Sequence, residues 1–285
     1  MKFTDLNSCY ELSNGVKVPC IGFGTWQVKE PEVCAASVSR AIEAGYRHID
    51  TAAAYHNEDS VGRGIHESGV PRSELFIASK VHNNMHGYKN TLSAFEQSIN
   101  ELGTDYLDLY LIHWPNPVKY RDDWALSNAE TWRAFEELYA AGKIRALGIS
   151  NFRQHHIEPL LKNAKTAPHV NQIRICPGEY PAALISYCRE RNMLLEAYSP
   201  LGTGKTFEVP ELKRLAEKYG RSIAQICVRW NLQNGCLPLP KSVTPERVAE
   251  NARVFDFEID EAGMRLIDAL EGCCEYSRDP DAIEF

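Results

Sequence analysis

The stretch LFIASKVHNNMHGYKNTLSAFEQSINELGTDYLDLYLIH, from Leu75 to His113, decides the fold class of the chain. Its two ends, Leu75–Ser79 and Tyr106–His113, are short runs rich in apolar residues, a pattern typical of buried strands. Between them, Asn90–Leu102 is a longer amphipathic run that predicts a helix. A strand, a helix and a second strand in this order form a unit whose two strands run parallel.

The same unit recurs along the rest of the chain. The other predicted strands are Ile21–Phe23, Arg47–Asp50, Ile144–Ser150, Val170–Ile173, Leu194–Tyr198 and Leu237–Pro240. The other predicted helices are Glu32–Glu43, Glu58–Glu67, Asn128–Ala141, Gln154–Asn163, Ala182–Arg191, Glu211–Tyr219, Ser222–Gln233, Pro245–Asn251 and Asp260–Leu270. Eight strand-then-helix units in 285 residues predict an α/β fold, a closed (β/α)8 TIM barrel, in one domain that spans residues 1–285. Before the first unit, Asn14–Gly15 predicts a β-hairpin with a type I′ turn, placed at the bottom of the barrel.

The composition limits the partners and the compartment. With a net charge of −7, the chain lacks the basic field that binding to nucleic acid requires. No run of about 18 apolar residues predicts a membrane span, and no apolar segment at the start predicts a secretion signal. The nine cysteines include no C-x-x-C pair. We therefore expect reduced thiols in the cytoplasm, and a monomer because no exposed apolar stripe stands out.

Polar side chains lie at or just beyond the predicted ends of the second, third and fourth strands, where catalytic groups of such barrels are found. They are Asp50, Tyr55, Lys80 and His113. A phenol has a pKa of about 10, and a neighbouring ammonium such as that of Lys80 would lower it. Asp50 would keep Lys80 charged, and His113 would donate a hydrogen bond to the same place. Together these groups suit protonation of a carbonyl oxygen as hydride arrives at the carbon. From the residues alone, the alternative stays open that Asp50 caps a turn while Tyr55 and His113 only pack.

Three longer motifs carry a resemblance to a known family. They are GYRHIDTAAAYHNEDSVG (Gly45–Gly62), IRALGISNF (Ile144–Phe152) and LPKSVTPERVAEN (Leu239–Asn251). In these motifs, and over essentially its whole length, the chain resembles the aldo-keto reductase superfamily, in particular its small microbial-type members. The resemblance implies the barrel fold, the cofactor NADPH/NADP+, and an NADPH-dependent enzyme of the alcohol dehydrogenase [NADP+] type.

The same resemblance assigns roles to the four polar residues. Tyr55 would be the general acid that protonates the substrate carbonyl, and Lys80 would tune its pKa. Asp50 would hold Lys80 in place, and His113 would orient the carbonyl group.

The cofactor cannot bind through a Rossmann motif, because the chain has no G-x-G-x-x-G. The segment SPLGTGKT (Ser199–Thr206) ends like a P-loop but lacks the first glycine. By resemblance, the nicotinamide half of the cofactor would contact Gly24, Thr25, Trp26, Asp50, Ser150, Asn151, Gln172 and Tyr198. By the same resemblance, the pyrophosphate and the adenine would contact Ser199, Leu201, Glu250 and Asn251. Lys241, Ser242 and Arg247 follow the eighth strand and supply cations and donors for a 2′-phosphate. We therefore expect NADPH rather than NADH.

The substrate pocket is expected to have aromatic walls that admit small aldehydes and ketones. Its predicted lining is Trp26, Tyr55, His113 and Trp114. Many relatives have an aromatic residue where this chain has His82, and a glutamate where it has Arg174; the effect of both differences stays open. The tail after Glu271 is short and polar, so we expect no long specificity loop.

A metal site is not expected. His82 and His86 are four residues apart but lack the glutamate of an H-E-x-x-H motif. His155 and His156 are expected to cap or flank a helix.

Two other functions remain open from the sequence. One is an NADPH-binding regulatory or redox-sensing barrel with slow turnover. The other is a lyase or isomerase in which Lys80 forms a Schiff base.

Overall fold

The computed structural model describes residues 3–285, and its first element is an antiparallel hairpin of strands β1 (Cys9–Glu11) and β2 (Lys17–Pro19). The hairpin is confirmed, but the predicted type I′ turn is wrong. That turn requires positive φ at both central residues. Of Asn14 and Gly15, only Gly15 has a positive φ, of 82°.

Two side-chain hydrogen bonds place the hairpin under the barrel. The Tyr10 hydroxyl donates to the carbonyl oxygen of Cys236 at 3.2 Å, and the Asn14 side-chain amide donates to that of Arg145 at 3.0 Å. Both acceptors lie at the amino-terminal ends of barrel strands, so the hairpin covers the bottom of the barrel, as predicted. The Leu12 amide donates to the Val16 carbonyl oxygen at 2.9 Å, so the loop has three residues, and such a loop needs a left-handed residue only at its last position, here Gly15.

All eight predicted barrel strands are present. They pair in parallel, each with its neighbours in the sequence. The strands are β3 (Gly22–Gly24), β4 (His48–Asp50), β5 (Phe76–Val81), β6 (Leu107–Ile112), β7 (Ile144–Ser150), β8 (Val170–Arg174), β9 (Leu194–Tyr198) and β10 (Leu237–Leu239). A hydrogen bond of 3.1 Å from the Gly24 amide to the Pro240 carbonyl oxygen joins the two end strands and nearly closes the barrel. Gly22 permits this close approach, because a Cβ there would lie 2.4 Å from the Leu239 side chain.

The helices surround this barrel. They are α1 (Pro31–Glu43), α2 (Glu58–Glu67), α3 (Tyr88–Leu102), α4 (Trp124–Ala140), α5 (Gln154–Leu161), α6 (Ala182–Arg189), α7 (Pro210–Tyr219), α8 (Ile223–Gln233), α9 (Pro245–Asn251) and α10 (Glu261–Asp268). Short 3₁₀ turns, which the sequence did not predict, occupy Ala53–Tyr55, Arg72–Glu74, Asn83–Met85, Val118–Asp123 and Gly202–Glu208. Among the residues from 3 to 285, no helix is both long and apolar enough to cross a membrane.

Two glycines of α2 set the packing of the first three helices. A Cβ on Gly64 would lie 2.4 Å from the carbonyl oxygen of Ala35 in α1, and one on Gly62 would lie 2.6 Å from that of Leu102 in α3. These distances are too short for any side chain. The G-x-G pair in this region therefore serves contact between helices, in agreement with the absence of a Rossmann motif.

Candidate active site

Lys80 lies on β5 in the interior of the barrel and is completely buried. Its ammonium contacts three oxygens: Asp50 Oδ1 at 2.8 Å, Asp50 Oδ2 at 2.9 Å and the Thr51 carbonyl oxygen at 2.7 Å. Asp50 is in register with Ala78, so the parallel pairing of β4 and β5 sets it beside Lys80. Burial acts to lower the pKa of Lys80, but the Asp50 carboxylate and Tyr55 outweigh it, and the pKa is raised above its usual value. The interior of the barrel therefore holds a charged ion pair.

Tyr55 and His113 lie next to this ion pair. Tyr55 ends the 3₁₀ turn that follows β4, and Lys80 Nζ lies 5.0 Å from the centre of its ring. The rings of Tyr55 and His113 pack edge to face, with their centres 5.7 Å apart. Burial raises the pKa of Tyr55, and although Lys80 acts in the predicted direction and lowers it, burial prevails. Burial, and then the charge of Lys80, hold the pKa of His113 well below its usual value, so His113 is neutral.

Hydrogen bonds join a second group of predicted residues at the ends of β7, β8 and β9. Asn151 has a φ of 63° directly after β7, and its side-chain amide donates to the carbonyl oxygen of His113 at 2.9 Å. The Tyr198 hydroxyl donates to Asn151 Oδ1 at 2.9 Å, and Ser150 Oγ donates to the Gln172 carbonyl oxygen at 2.9 Å. The Asn151 contact therefore links this group directly to the strand end that carries His113.

Gln172 faces inward. Its Nε2 donates to Asp50 Oδ2 at 2.8 Å and to Glu196 Oε2 at 2.8 Å. An amide nitrogen has two hydrogens, so both are used inside the barrel. Only Oε1 of Gln172 is left for a further partner, which would have to be a donor.

Glu196 on β9 belongs to this buried network, and the sequence reasoning missed it. Burial, and then the Asp50 carboxylate, raise its pKa to about 8. Its Oε1 lies 3.8 Å from His48 Nε2, and burial followed by the charge of Lys80 lowers the pKa of His48 to about 3. A signal was present in the sequence, because a glutamate interrupts the apolar strand LLEAY. Burial of a carboxyl group on an interior face requires a partner.

The predicted residues after β3 also lie at the mouth of the barrel. The Thr25 hydroxyl donates to the Asp50 carbonyl oxygen at 3.0 Å, so this segment is fixed to the end of β4. Trp26, the next residue, is 45% exposed. The Trp26 ring is thus presented to solvent next to a segment that is fixed to the end of β4.

The predicted phosphate-binding residues lie between β10 and α9 and in the first turn of α9. Lys241 and Arg247 are exposed, and neither makes an ion pair with any residue that the structure describes. The Ser242 hydroxyl accepts a hydrogen bond from the Thr244 amide at 3.1 Å. The remaining predicted contacts, on α9 or before the 3₁₀ segment that starts at Gly202, are buried or half-buried: Ser199, Leu201, Glu250 and Asn251.

The tail after Glu271 reaches the predicted substrate wall, which the sequence did not indicate. The Val118 amide donates to the Phe285 carbonyl oxygen at 3.1 Å, and the Phe285 ring lies edge-on to Trp114 with ring centres 5.5 Å apart. The tail is short, as expected, but it adds an aromatic side chain beside Trp114.

The tail is held by α5. His156 Nε2 lies 2.8 Å from Asp281 Oδ1, and His155 Nε2 lies 3.0 Å from Asp281 Oδ2. His156 Nδ1 accepts from the Arg153 amide at 3.1 Å as part of a capping box, which confirms the predicted position at a helix end. The Nε2 of neutral His156 therefore carries the proton and donates a hydrogen bond to Asp281. In the described chain these three residues form a group of potential metal ligands, but their donor atoms are already bonded to one another.

The two unusual residues near the pocket have local partners. His82 Nδ1 accepts from the Asn84 amide at 3.1 Å, so it caps the 3₁₀ turn that follows β5. Arg174 Nε lies 3.0 Å from Glu179 Oε2, and Glu179 also accepts from the Ser277 amide in the tail. Arg174 therefore helps to anchor the tail.

The family model of the Aldo/keto reductase family matches residues 20–271. The chain belongs to this family. It is 48% identical to glyoxal reductase of Bacillus subtilis (strain 168), over 99% of this chain and 99% of that protein. Among solved structures, an aldo-keto reductase from a Medee basin deep-sea metagenome library has a TM-score of 0.91 and 39% identity, covering 97% of this chain and 100% of its own. An aldo-keto reductase of Bombyx mori, solved in complex with NADP, has a TM-score of 0.86 and 33% identity, covering 94% of each chain. Reduction of the carbonyl group of an aldehyde or ketone, as expected from the sequence, is the chemistry of this family.

Proposed function

We propose that this aldo-keto reductase reduces aldehydes and ketones to alcohols with hydride from NADPH, and that Tyr55 is the general acid. The observation that carries the proposal is the buried Lys80–Asp50 pair next to Tyr55, with His113 at the ring edge. A phenol between a fixed cation and a neutral imidazole is suited to give a proton to a carbonyl oxygen.

The contacts of each residue give its role. Lys80 stays charged because Asp50 is its partner, so it stabilises the phenolate that remains after Tyr55 has given its proton. His113 is neutral, so it can donate one hydrogen bond to the substrate oxygen and orient it. Asp50 orients Lys80 through both carboxylate oxygens. NADPH, when bound, supplies the hydride.

The residues at the mouth fit this cofactor. Lys241 and Arg247 offer positive charge without a competing ion pair in the described chain, which suits the 2′-phosphate that distinguishes NADPH from NADH. Because both amide hydrogens of Gln172 are used, it would accept from the carboxamide through Oε1, while Ser150 and Asn151 would provide the other contacts. Tyr198 would stack on the nicotinamide ring.

The finer assignment is also a proposal. The relative at 48% identity is named glyoxal reductase, so small dicarbonyls are the first substrates to test for this alcohol dehydrogenase [NADP+]-type enzyme. We further propose one domain over residues 1–285, a monomer, and a place in the cytoplasm.

The geometry of Lys80 argues against a Schiff-base lyase. A nucleophilic lysine must be uncharged, whereas Lys80 contacts three oxygens and has a raised pKa. Turnover by this route would require the Lys80–Asp50 pair to break first.

The first experiment is to follow the loss of NADPH absorbance with glyoxal, methylglyoxal, simple aldehydes, ketones and sugars, with NADH in parallel. We expect multiple turnovers with NADPH. A tightly bound NADPH that is oxidised only once would favour a regulatory barrel with slow turnover and would contradict the reductase.

The second experiment tests the proton donor. Tyr55→Phe should keep NADPH binding and lower kcat at least about 100-fold, the usual size of a general-acid contribution. Tyr276→Phe is the matched control, because this tyrosine is 64% exposed in the tail. Near-normal turnover of Tyr55→Phe would refute the role of Tyr55.

A further inference from the structure

Three thiols meet where the turn after β8 contacts the tail. Cys176 and Glu179 form a tight turn through two backbone hydrogen bonds, of 3.2 and 2.9 Å, with Pro177 and Gly178 at its corners. Gly178 has a φ of 92°, as a type II turn requires at that position. The tail joins this turn through a bridge between Gly178 and Glu271. The turn thus holds Cys176 in one place and receives the two cysteines that follow Glu271.

The tail presents both of its cysteines to this turn. The sulfur atoms of Cys273 and Cys274 lie 3.4 and 3.3 Å from the Pro177 carbonyl oxygen, so both thiols lie against the residue that follows Cys176. A Cβ on Gly178 would lie 2.5 Å from the Cys273 sulfur, so only glycine permits this approach. Cys176 and Cys274 are buried, and Cys273 is half-buried at the edge of the group.

Cys176 differs from the other cysteines in its electrostatic surroundings. The neighbouring Cys274 thiol, together with the Arg174 guanidinium, lowers the pKa of the Cys176 thiol in spite of its burial. In each of the other eight cysteines, the pKa is raised. Because the thiolate is the nucleophile in thiol chemistry, Cys176 is the member of the group whose surroundings favour the nucleophilic form, and Cys274 is the nearby buried thiol that could resolve its oxidised form.

We propose that Cys176 and Cys274 form a reversible disulfide bond when the protein meets a peroxide, and that this bond fastens the tail to the turn after β8. The Cys176 thiolate attacks one oxygen of hydrogen peroxide, the O–O bond breaks, and hydroxide leaves and becomes water after taking up a proton. The product is a sulfenic acid on Cys176. The Cys274 sulfur then attacks the Cys176 sulfur, the S–S bond forms and the S–O bond breaks. A second water leaves with the Cys274 proton, so two thiols are oxidised and one peroxide is reduced.

This disulfide is compatible with a cytoplasm that keeps most thiols reduced, where disulfides are transient and respond to oxidants. The disulfide would restrain the tail, whose last residue, Phe285, contacts Trp114. Gly202 lies close to Cys274, because a Cβ on Gly202 would be 2.4 Å from the Cys274 sulfur. The disulfide would therefore also contact the segment that precedes α7.

Peptide mapping of the full chain tests the proposal without any use of enzyme activity. The reduced protein is treated with hydrogen peroxide, its remaining thiols are alkylated under denaturing conditions, and it is digested without reductant. We expect a linked peptide pair that contains Cys176 and Cys274, and its loss after dithiothreitol. Hydrogen exchange of residues 275–285 should be slower in the oxidised protein than in the reduced one.

Three variants separate the roles of the thiols. Cys273→Ser is the matched control and should still form the linked pair. Cys274→Ser, or Cys274→Ala if the serine variant does not fold, should leave a sulfenic acid on Cys176 that dimedone traps. Arg174→Gln should slow oxidation of Cys176 at neutral pH and shift its midpoint to higher pH. Oxidation that occurs first at Cys9 or Cys273, or a Cys176 that is no faster than the other buried thiols, would overturn the proposal.

Discussion

Removal of both members of the Lys80–Asp50 pair should destabilise the fold by less than the sum of the two single removals. Both side chains are buried and their charged atoms are 2.8 Å apart. With an effective dielectric constant of about 20, Coulomb's law gives an attraction of about 6 kcal/mol at this distance. Loss of one partner leaves the other charge buried and unpaired, which costs about 3–5 kcal/mol. Lys80→Met leaves Asp50 with the Gln172 amide as a donor, and Asp50→Asn leaves the ammonium with the Thr51 carbonyl and a neutral amide oxygen.

The assay is a double-mutant cycle on the free energy of unfolding in urea. Each single variant should lose about 3–5 kcal/mol, and the variant with both substitutions should lose less than the sum, with a coupling energy of at least about 2 kcal/mol. None of the three variants should turn over substrate at a normal rate. The quantity compared is therefore the free energy of unfolding and not the activity.

The control is an exposed pair of similar length. Arg265 and Glu261 lie 2.6 Å apart on α10, and their side chains are 66% and 86% exposed. The same cycle on this pair should give a coupling of about 0.2–1 kcal/mol, because solvent screens it. Additive effects of Lys80→Met and Asp50→Asn, within about 0.5 kcal/mol, would refute the argument that the two charges are buried as a pair.

Three further variants test other parts of the structure. Arg247→Ala should weaken NADPH binding by about 1.5–3 kcal/mol, if one charged hydrogen bond is lost, and leave NADH unchanged in a fluorescence titration; the reverse pattern would exclude Arg247 from the phosphate site. The raised pKa of Glu196, about 8 in the folded state, means that its protonated form stabilises the fold at low pH and that this contribution is lost between about pH 4.5 and 8. Glu196→Gln should therefore gain stability relative to the unmodified protein as pH rises through that range, and a constant difference from pH 5 to 8 would contradict its burial as a neutral acid. Gly64→Ala should cost about 1–3 kcal/mol in urea unfolding, because its Cβ would meet the Ala35 carbonyl oxygen; an unchanged midpoint would mean that α1 and α2 separate at no cost.

The sequence predicted the barrel well because its strands are mostly apolar runs between turn residues. Such runs predict buried strands whatever the rest of the chain does. Ile144–Ser150 and Leu194–Tyr198 have the predicted bounds. The predicted type I′ turn at Asn14–Gly15 was wrong because the pairing of Leu12 with Val16 leaves a loop of three residues rather than two. The 3₁₀ turns were missed because segments of three to seven residues are too short to show a period.

The candidate site divides in the same way. The four polar residues at strand ends could be predicted, since parallel strands bring their ends together. Glu196 could not be placed so easily, because its function depends on the inward rotamer of Gln172, which no spacing indicates. The contact of Phe285 with Trp114 also lay outside the reach of sequence patterns, as it follows from tail contacts such as that of Asp281 with His156.

The buried network under Tyr55 limits the charge of the site to one ion pair. Glu196 is joined to Asp50 through Gln172, and burial raises its pKa to about 8, so near neutral pH it is mostly protonated. If Glu196 were ionised, a second negative charge would compete with Tyr55 for the influence of Lys80. A neutral Glu196 instead leaves Asp50 as the partner of Lys80 within this network. Glu196, which the sequence reasoning did not single out, thus helps to keep the Lys80 ammonium directed at the Tyr55 phenol, which the sequence reasoning did identify.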